Sequence, residues 1–139
     1  MKRLAVMIFI IVSLLLTGCA ENPAPADLPD QTVKATVQDI TPEEAKTRLD
    51  SEEEIILLDV RTQEEFDQGH IADALLLPVD QLSAKASEVI PDLEAVYFVY
   101  CRSGSRSGAA AAMMVEMGYQ NVFDLGGILD WPYETVKRW

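Results

Sequence analysis

Short apolar runs recur along the chain with polar stretches between them. The clearest is Ile55-Ile56-Leu57-Leu58, which lacks the alternation of a half-exposed strand and reads as one buried on both faces, as in a parallel sheet. Ala74-Leu75-Leu76-Leu77, ending at Pro78, Val96-Tyr97-Phe98-Val99-Tyr100 and Val122-Phe123-Asp124-Leu125 read as further strands, and a short one is predicted around Ala35 to Ile40. The intervening segments carry helix signals. Thr41-Pro42-Glu43-Glu44 has capping-box spacing with proline at the first helical position, and predicts a helix to about Leu49. Thr62-Gln63-Glu64-Glu65 repeats the spacing for a short helix reaching Phe66, and Asp80 to Val89 is helix-compatible. Ser107 to Met117 has high helix propensity, methionines suited to packing, and Gly118 placed as a stop. Gly126-Gly127 reads as a hinge-like turn before a terminal segment anchored by Trp131. Strands alternating with helices make an α/β domain.

Before this domain the pattern is different. Met1-Lys2-Arg3 is a positive start, and Leu4 to Leu16 is an apolar run of the length of a signal-peptide core rather than a spanning helix. It ends in Leu16-Thr17-Gly18-Cys19, which looks like a bacterial lipobox: residues 1–18 are expected to be removed and Cys19 to be acylated, placing the protein on a bacterial membrane outside the cytoplasm. An ordinary signal peptide or an uncleaved anchor is the plainer alternative. Residues 19–34, with Pro23, Pro25 and Pro29, read as a flexible tether, and the folded domain is expected over 35–139.

Composition narrows the function. At 139 residues one domain is expected, and a formal net charge of −12 disfavours nucleic acid as a partner. The two cysteines, Cys19 and Cys101, supply no disulfide framework once Cys19 is taken by lipid. With one histidine, His70, and no paired cysteines there is no recognisable zinc site. No metal or cofactor is expected, and the protein is expected to be a monomer. Glu52-Glu53-Glu54 reads as a solvated face.

The chemistry-bearing stretch is Cys101-Arg102-Ser103-Gly104-Ser105-Arg106-Ser107, between an apolar strand and an alanine-rich helix. A strand-loop-helix junction of this kind points successive backbone N–H groups into one concavity that holds negative charge. A thiol there, beside two arginines, should have a depressed pKa and be more thiolate at neutral pH. Gly104 permits the positive φ that such a turn often needs, and Arg102 and Arg106 suit an oxyanion. An incidental buried cysteine in a structural turn is the weaker reading, because cysteine, glycine and two arginines seldom coincide in one such loop. Asp59 and Arg61, at the end of a predicted strand, belong to the edge where parallel sheets carry ligands. They read first as an ion pair tying loops together and second as site residues. His70 invites a role as base for Cys101, but a structural histidine is preferred, since dipoles and arginines already account for a thiolate.

Over about Ala35 to Trp139 the chain resembles the rhodanese family of single-domain sulfurtransferases. The resemblance rests on Asp59-Val60-Arg61 with Glu64 or Glu65 and Phe66, on Gly69-His70-Ile71, on Cys101 to Ser107, and on Leu125-Gly126-Gly127-Ile128 with Trp131, in that order. It implies a central parallel sheet flanked by helices. It also implies that Cys101 accepts a sulfane sulfur as a persulfide from a small donor such as thiosulfate and passes it to a thiol or cyanide acceptor. Arg102 and Arg106, with Ser103, Gly104 and Ser105, would hold the anionic donor. Two positions depart from the family pattern: Asp73 stands where glycine is usual, and Pro132 directly follows Trp131. Aspartate tolerates unusual turn φ better than most residues.

Two other classes compete. Cysteine phosphatases and arsenate reductases use a similar cradle, but their signature has five residues between cysteine and arginine, whereas four separate Cys101 from Arg106. A tethered binding module would use the pocket without chemistry, which requires Cys101 to be unreactive.

Overall fold

The computed structural model describes residues 34–138. The expected leader, Cys19 and nearly all of the expected tether lie outside the described residues. Both capping boxes close. The Thr41 side chain accepts from the Glu44 amide at 3.2 Å while the Glu44 carboxylate accepts from the Thr41 amide at 3.1 Å. Thr62 and Glu65 make the same exchange at 3.3 and 3.1 Å. They start α1 (Pro42–Leu49) and α2 (Gln63–Gln68).

The strands are β1 (Gln38–Asp39), β2 (Ile55–Asp59), β3 (Leu75–Leu76), β4 (Val96–Cys101) and β5 (Asn121–Gly127), and the remaining helices are α3 (Val79–Val89) and α4 (Ser105–Glu116). They form one five-stranded sheet of order β1-β5-β4-β2-β3 in which every pairing is parallel. From β2 the chain turns outward to β3, and from β4 it turns the opposite way to β5. The C-terminal ends of β2 and β4 therefore flank the point where the winding reverses, where such sheets leave a crevice. Asp59 pairs with Tyr100 there, one residue before Cys101.

Side chains alternate across the sheet and divide the core. Tyr97, Val99 and Cys101 pack with Leu58, Leu82, Ala86, Ala110, Ala111 and Met114, under α3 and α4. Phe98 and Tyr100 pack with Leu57, Ala45, Ile71, Leu125 and Trp131, under α1 and the terminal segment. The small alanines of α4 let it lie close over the central strands.

Three expectations are corrected. The edge strands β1 and β3 are two residues each, shorter than their apolar runs, because each has a hydrogen-bonding neighbour on one side only. Helix α4 begins at Ser105 rather than Ser107, since Gly104, at φ +99°, turns the chain into the helix two residues sooner. Gly126-Gly127 is not a hinge but the end of β5: a register irregularity beside Val99 and Tyr100, with Gly126 at φ +84°, lets the strand continue to Cys101. After a single turn of 3-10 helix (Ile128–Asp130) the described terminal segment is irregular, and Val136 forms an isolated antiparallel bridge with His70.

Removing the first cap in Thr41→Ala is expected to cost about 1 kcal/mol. Leu58→Ala, emptying a fully buried position between β2 and the α3–α4 layer, is expected to cost about 2–5 kcal/mol. Urea unfolding midpoints at unchanged slope measure both.

Candidate active site

Cys101 is the last residue of β4, and the residue is 1% exposed. The chain leaves the strand, reverses at Gly104 and enters α4. The first amides of the helix lack intrahelical partners, and that of Ser107 is directed at the sulfur. The Gly104 amide donates to Cys101 Sγ at 3.1 Å. Burial pushes the Cys101 thiol up. The amide and hydroxyl of Ser107 and the amides of Gly104 and Ser103 outweigh it, and the net pKa is lowered. The lowering thus comes chiefly from hydrogen-bond donors of the loop and the start of α4, and Arg106 is near enough to interact with the sulfur through its charge.

The loop is held from below by β5. A side chain at Gly127 would place its Cβ 2.5 Å from the Arg102 carbonyl oxygen and 2.7 Å from Ser103 Cα, so only glycine admits the loop backbone at this distance. The hydroxyl oxygen of buried Ser107 lies 2.9 Å from the Gly104 carbonyl and 3.2 Å from that of Gly126, so its single proton has a partner on either side, and the Leu129 amide donates to the Arg102 carbonyl at 3.2 Å. Ser103 and Ser105 are exposed at the rim, and their backbone rather than their hydroxyls shapes the cradle.

The two loop arginines are not equivalent. Arg106, in the first turn of α4, is gripped by the Glu65 carboxylate through two hydrogen bonds of 2.8 Å. Glu65 Oε2 also accepts from the Thr62 amide, so one carboxylate caps α2 and clamps the cysteine loop to it. The Arg106 guanidinium holds the Glu65 carboxyl well below the usual range, at about 2. Arg102 is exposed, and no side-chain hydrogen bond or ion pair engages it among the described residues. It borders a cavity of about 430 Å³ lined also by Glu65, Gly69, Leu129 and Thr135.

Asp59 and Arg61 lie beneath this surface. The carboxylate is fully buried and accepts from the Arg61 amide at 2.9 Å, from Nε at 3.0 Å and from a terminal guanidinium nitrogen at 2.7 Å; the same nitrogen donates to the Gly69 carbonyl at 2.8 Å. Burial alone would pull Arg61 down, but Asp59 raises it. Tyr100 sits against the pair, its phenol pushed up by burial and by Asp59, and accepts from the Ile71 amide at 3.2 Å. His70 lies in the same connection. Its Nδ1 is 2.8 Å from the Phe66 carbonyl, its ring stacks on Phe66 at 3.6 Å, and its backbone pairs with Val136. These contacts occupy its ring in holding α2 and the terminal segment together.

Sequence reasoning missed three contributors. Gly127 is a close-approach position that a glycine pair conceals behind a turn signal. Ser107 was read as the start of the helix. Glu65 was legible as a cap, but its second partner lies 41 residues away, at no fixed spacing.

A model of the Rhodanese-like domain family matches residues 41–133. A protein named sulfurtransferase from Allochromatium vinosum is 42% identical over 96 residues, covering 68% of this chain and 88% of that protein. The thiosulfate sulfurtransferase PspE of Escherichia coli is 34% identical over 80 residues, covering 58% and 77%. Among solved structures, a rhodanese-like domain protein from Staphylococcus aureus superposes with a TM-score of 0.66 at 27% identity, over 73% of this chain and 99% of that one. A rhodanese with anions from E. coli gives 0.58 at 32% identity, over 61% and 100%.

Two measurements probe this geometry. The rate of alkylation of Cys101 by iodoacetamide is expected to rise with pH through a midpoint below the free-thiol value of about 8.5. In Gly127→Ala, where the loop is pushed off β5, the midpoint should return towards that value. For Glu65, whose folded pKa lies below its ordinary 4.5, the stabilisation is present above about 4.5 and lost as pH falls towards 2. Glu65→Gln is therefore expected to be less stable than the parent at pH 7, with the difference shrinking through that acid window in pH-dependent urea unfolding.

Proposed function

The chain belongs to the rhodanese-like domain family, a sulfurtransferase family by its relatives, and we propose that it moves a sulfane sulfur from a donor such as thiosulfate to a thiophilic acceptor through a Cys101 persulfide. The observation that carries this reading is the lowered thiol of Cys101 at the centre of a ring of backbone N–H groups.

The Cys101 thiolate attacks the outer sulfur of thiosulfate. A sulfur–sulfur bond forms, the donor's own sulfur–sulfur bond breaks, and its electron pair leaves on sulfite. The persulfide carries its negative charge on the terminal sulfur, and the free amides at the start of α4 meet that charge as they meet the thiolate. A thiolate or cyanide acceptor then attacks the terminal sulfur, and the electron pair returns to Cys101. The enzyme is thus charged and discharged in turn, with donor product leaving before acceptor binds. Arg102, exposed and unengaged, supplies charge-assisted hydrogen bonds to the anionic donor. Arg106, fixed by Glu65, adds positive charge and holds the loop's shape. Asp59 and Arg61 support the connection behind it.

The spacing of Cys101 and Arg106 speaks against a phosphatase, whose wider cradle accommodates a tetrahedral oxyanion. We further propose that Cys19 carries lipid and that the domain works at a bacterial membrane outside the cytoplasm, a reading that rests on the apolar run ending in Leu16-Thr17-Gly18-Cys19.

Intact-mass analysis of the protein before and after thiosulfate is expected to show a gain of one sulfur atom, absent from Cys101→Ser. That variant and Cys101→Ala should retain the parent's fold and lose essentially all thiosulfate:cyanide transfer, because a hydroxyl is a poor nucleophile here and cannot form a persulfide. Transfer retained by folded Cys101→Ser would overturn the mechanism. Arg102→Ala is expected to raise KM for thiosulfate with a smaller effect on reaction with cyanide. Cys19→Ser should be misprocessed or released from the membrane fraction, and unchanged cleavage and membrane retention would remove the anchor.

A further inference from the structure

Glu65 is engaged through both oxygens. It stands at the third position of α2, where Oε2 accepts from the Thr62 amide at 3.1 Å and from Arg106 Nη1–H at 2.8 Å, while Oε1 accepts from Nη2–H at 2.8 Å. A bidentate, charge-assisted pair of this kind is among the firmest grips a side chain has on a guanidinium. It is also what first holds the Glu65 carboxyl at about 2, ahead of the contribution of Thr62. Capping α2 does not ask for this charge, because a capping box works with glutamine as well as with glutamate at the third position. The charge of Glu65 is spent on Arg106.

The consequence falls on the sulfur site. Arg106 is raised by Glu65 first and then by the charges of Cys101 and Asp59, so its guanidinium lies within electrostatic reach of the thiolate. Glu65 itself lines the cavity that Arg102 borders. The Arg106 and Glu65 side chains are 36% and 26% exposed, so a solute at this edge reaches both. Beneath them Asp59 and Arg61 are paired with each other, and His70 Nδ1 is engaged at the Phe66 carbonyl. Of the two arginines of the cysteine loop, one is thus neutralised by a carboxylate, and the other, Arg102, is left to meet an anion. A free Arg106 would attract an anionic donor more strongly, and the fold withholds it.

We propose that Glu65 is a positioning residue that sets the donor selectivity of the site: by holding Arg106 away from the donor it leaves Arg102 to meet the anion, and so keeps the site open to singly charged sulfane-sulfur donors, such as organic thiosulfonates, beside doubly charged thiosulfate. The proposal rests on the persulfide reading above. Coulomb attraction is linear in charge, so every further free guanidinium favours a dianion over a monoanion. Pairing Arg106 with Glu65 removes that bias while the guanidinium still fixes the start of α4 against α2. The chemistry is the same for either donor. The Cys101 thiolate bonds to the outer sulfur, the donor's sulfur–sulfur bond breaks, and its electron pair leaves on sulfite or, from methanethiosulfonate, on methanesulfinate.

The test compares the full chain with Glu65→Gln and with the double variant Glu65→Gln, Arg106→Gln, each checked for folding by circular dichroism. Glutamine keeps an acceptor for the Thr62 amide but loses the charge and one of the two oxygens that grip Arg106. The first readout is the ratio of kcat/KM for thiosulfate to that for methanethiosulfonate, with cyanide as acceptor, in which any change of thiol nucleophilicity common to both donors cancels. In Glu65→Gln this ratio is expected to rise about two- to threefold, and to fall back as ionic strength is raised. The second is the pH midpoint of Cys101 alkylation, expected to move down by about 0.3–0.6 pH unit as the freed guanidinium favours the thiolate. In the double variant, where a neutral pair replaces a compensated one, both readouts should return to the parent's, the ratio to within about 1.5-fold. An ion pair that only ties the loop predicts the opposite sign: a loosened cradle, a midpoint moved up and both donors equally impaired, and that result would overturn the proposal. A raised ratio that persists in the double variant would also overturn it, since Glu65 would then act without Arg106. Should Glu65→Gln not fold, the double variant decides alone, because a twofold or greater fall in its ratio would mean that Arg106 already meets the donor. No gain of sulfur by the parent in the mass measurement would remove the reaction itself, whereas these comparisons among variants of an active parent remove only the role of Glu65.

Discussion

A carboxylate with no exposure to water has to find its partners inside the protein, and the surroundings of Asp59 follow from that requirement. Burying an unpaired charge is prohibitive, whereas a charge met by hydrogen bonds in good geometry is tolerated. Arg61 meets it with its backbone amide and its guanidinium, then spends a remaining N–H on the Gly69 carbonyl. The end of β2 is thereby tied to the turn after α2. Tyr100, packed against the pair, links that turn back to β4 through Ile71. The floor of the crevice at the reversal of winding is therefore set by one buried charge, and the cysteine loop is laid upon a base already fixed.

The loop is rigid for a second reason. Its carbonyl and Cα atoms lie against Gly127 at a distance no other residue permits, and its helix is clamped to α2 by Glu65 and Arg106. The lowering of the thiol's pKa in this setting draws on no histidine. The amides of Gly104, Ser103 and Ser107 are built into the backbone and already point at the sulfur, so little reorganisation is needed to meet negative charge there.

Much of this was legible in the sequence because it is local. Capping boxes at Thr41 and Thr62 and the apolar runs of β2 and β4 each declare themselves within a few residues, and the cysteine, Gly104 and the two arginines occupy one stretch of chain. What was not legible is what depends on contact between distant segments. Gly126-Gly127 has the composition of a turn, and only the approach of the cysteine loop shows why glycine is needed inside a strand. The partition of the two arginines between a clamped and a free role depends on Glu65, whose position opposite Arg106 is a product of the strand order. Edge strands ended early because an apolar run records burial, not hydrogen-bond pairing. The irregular course of the chain after Trp131 is pinned by its bridge to His70 rather than by any periodicity of its own.

That bridge has a consequence for how the site is bounded. Val136 pairs with His70 through two backbone hydrogen bonds of 2.8 Å, and Thr135 beside it forms part of the cavity bordered by Arg102. One wall of the cavity beside Arg102 is thus built from sequence that lies outside the sheet and its α-helices. Such a wall can be lengthened, shortened or recoloured without disturbing a single core position. The Cys101 sulfur is locked to the sheet, while the border of the cavity next to Arg102 is left to a stretch of chain that the fold does not dictate.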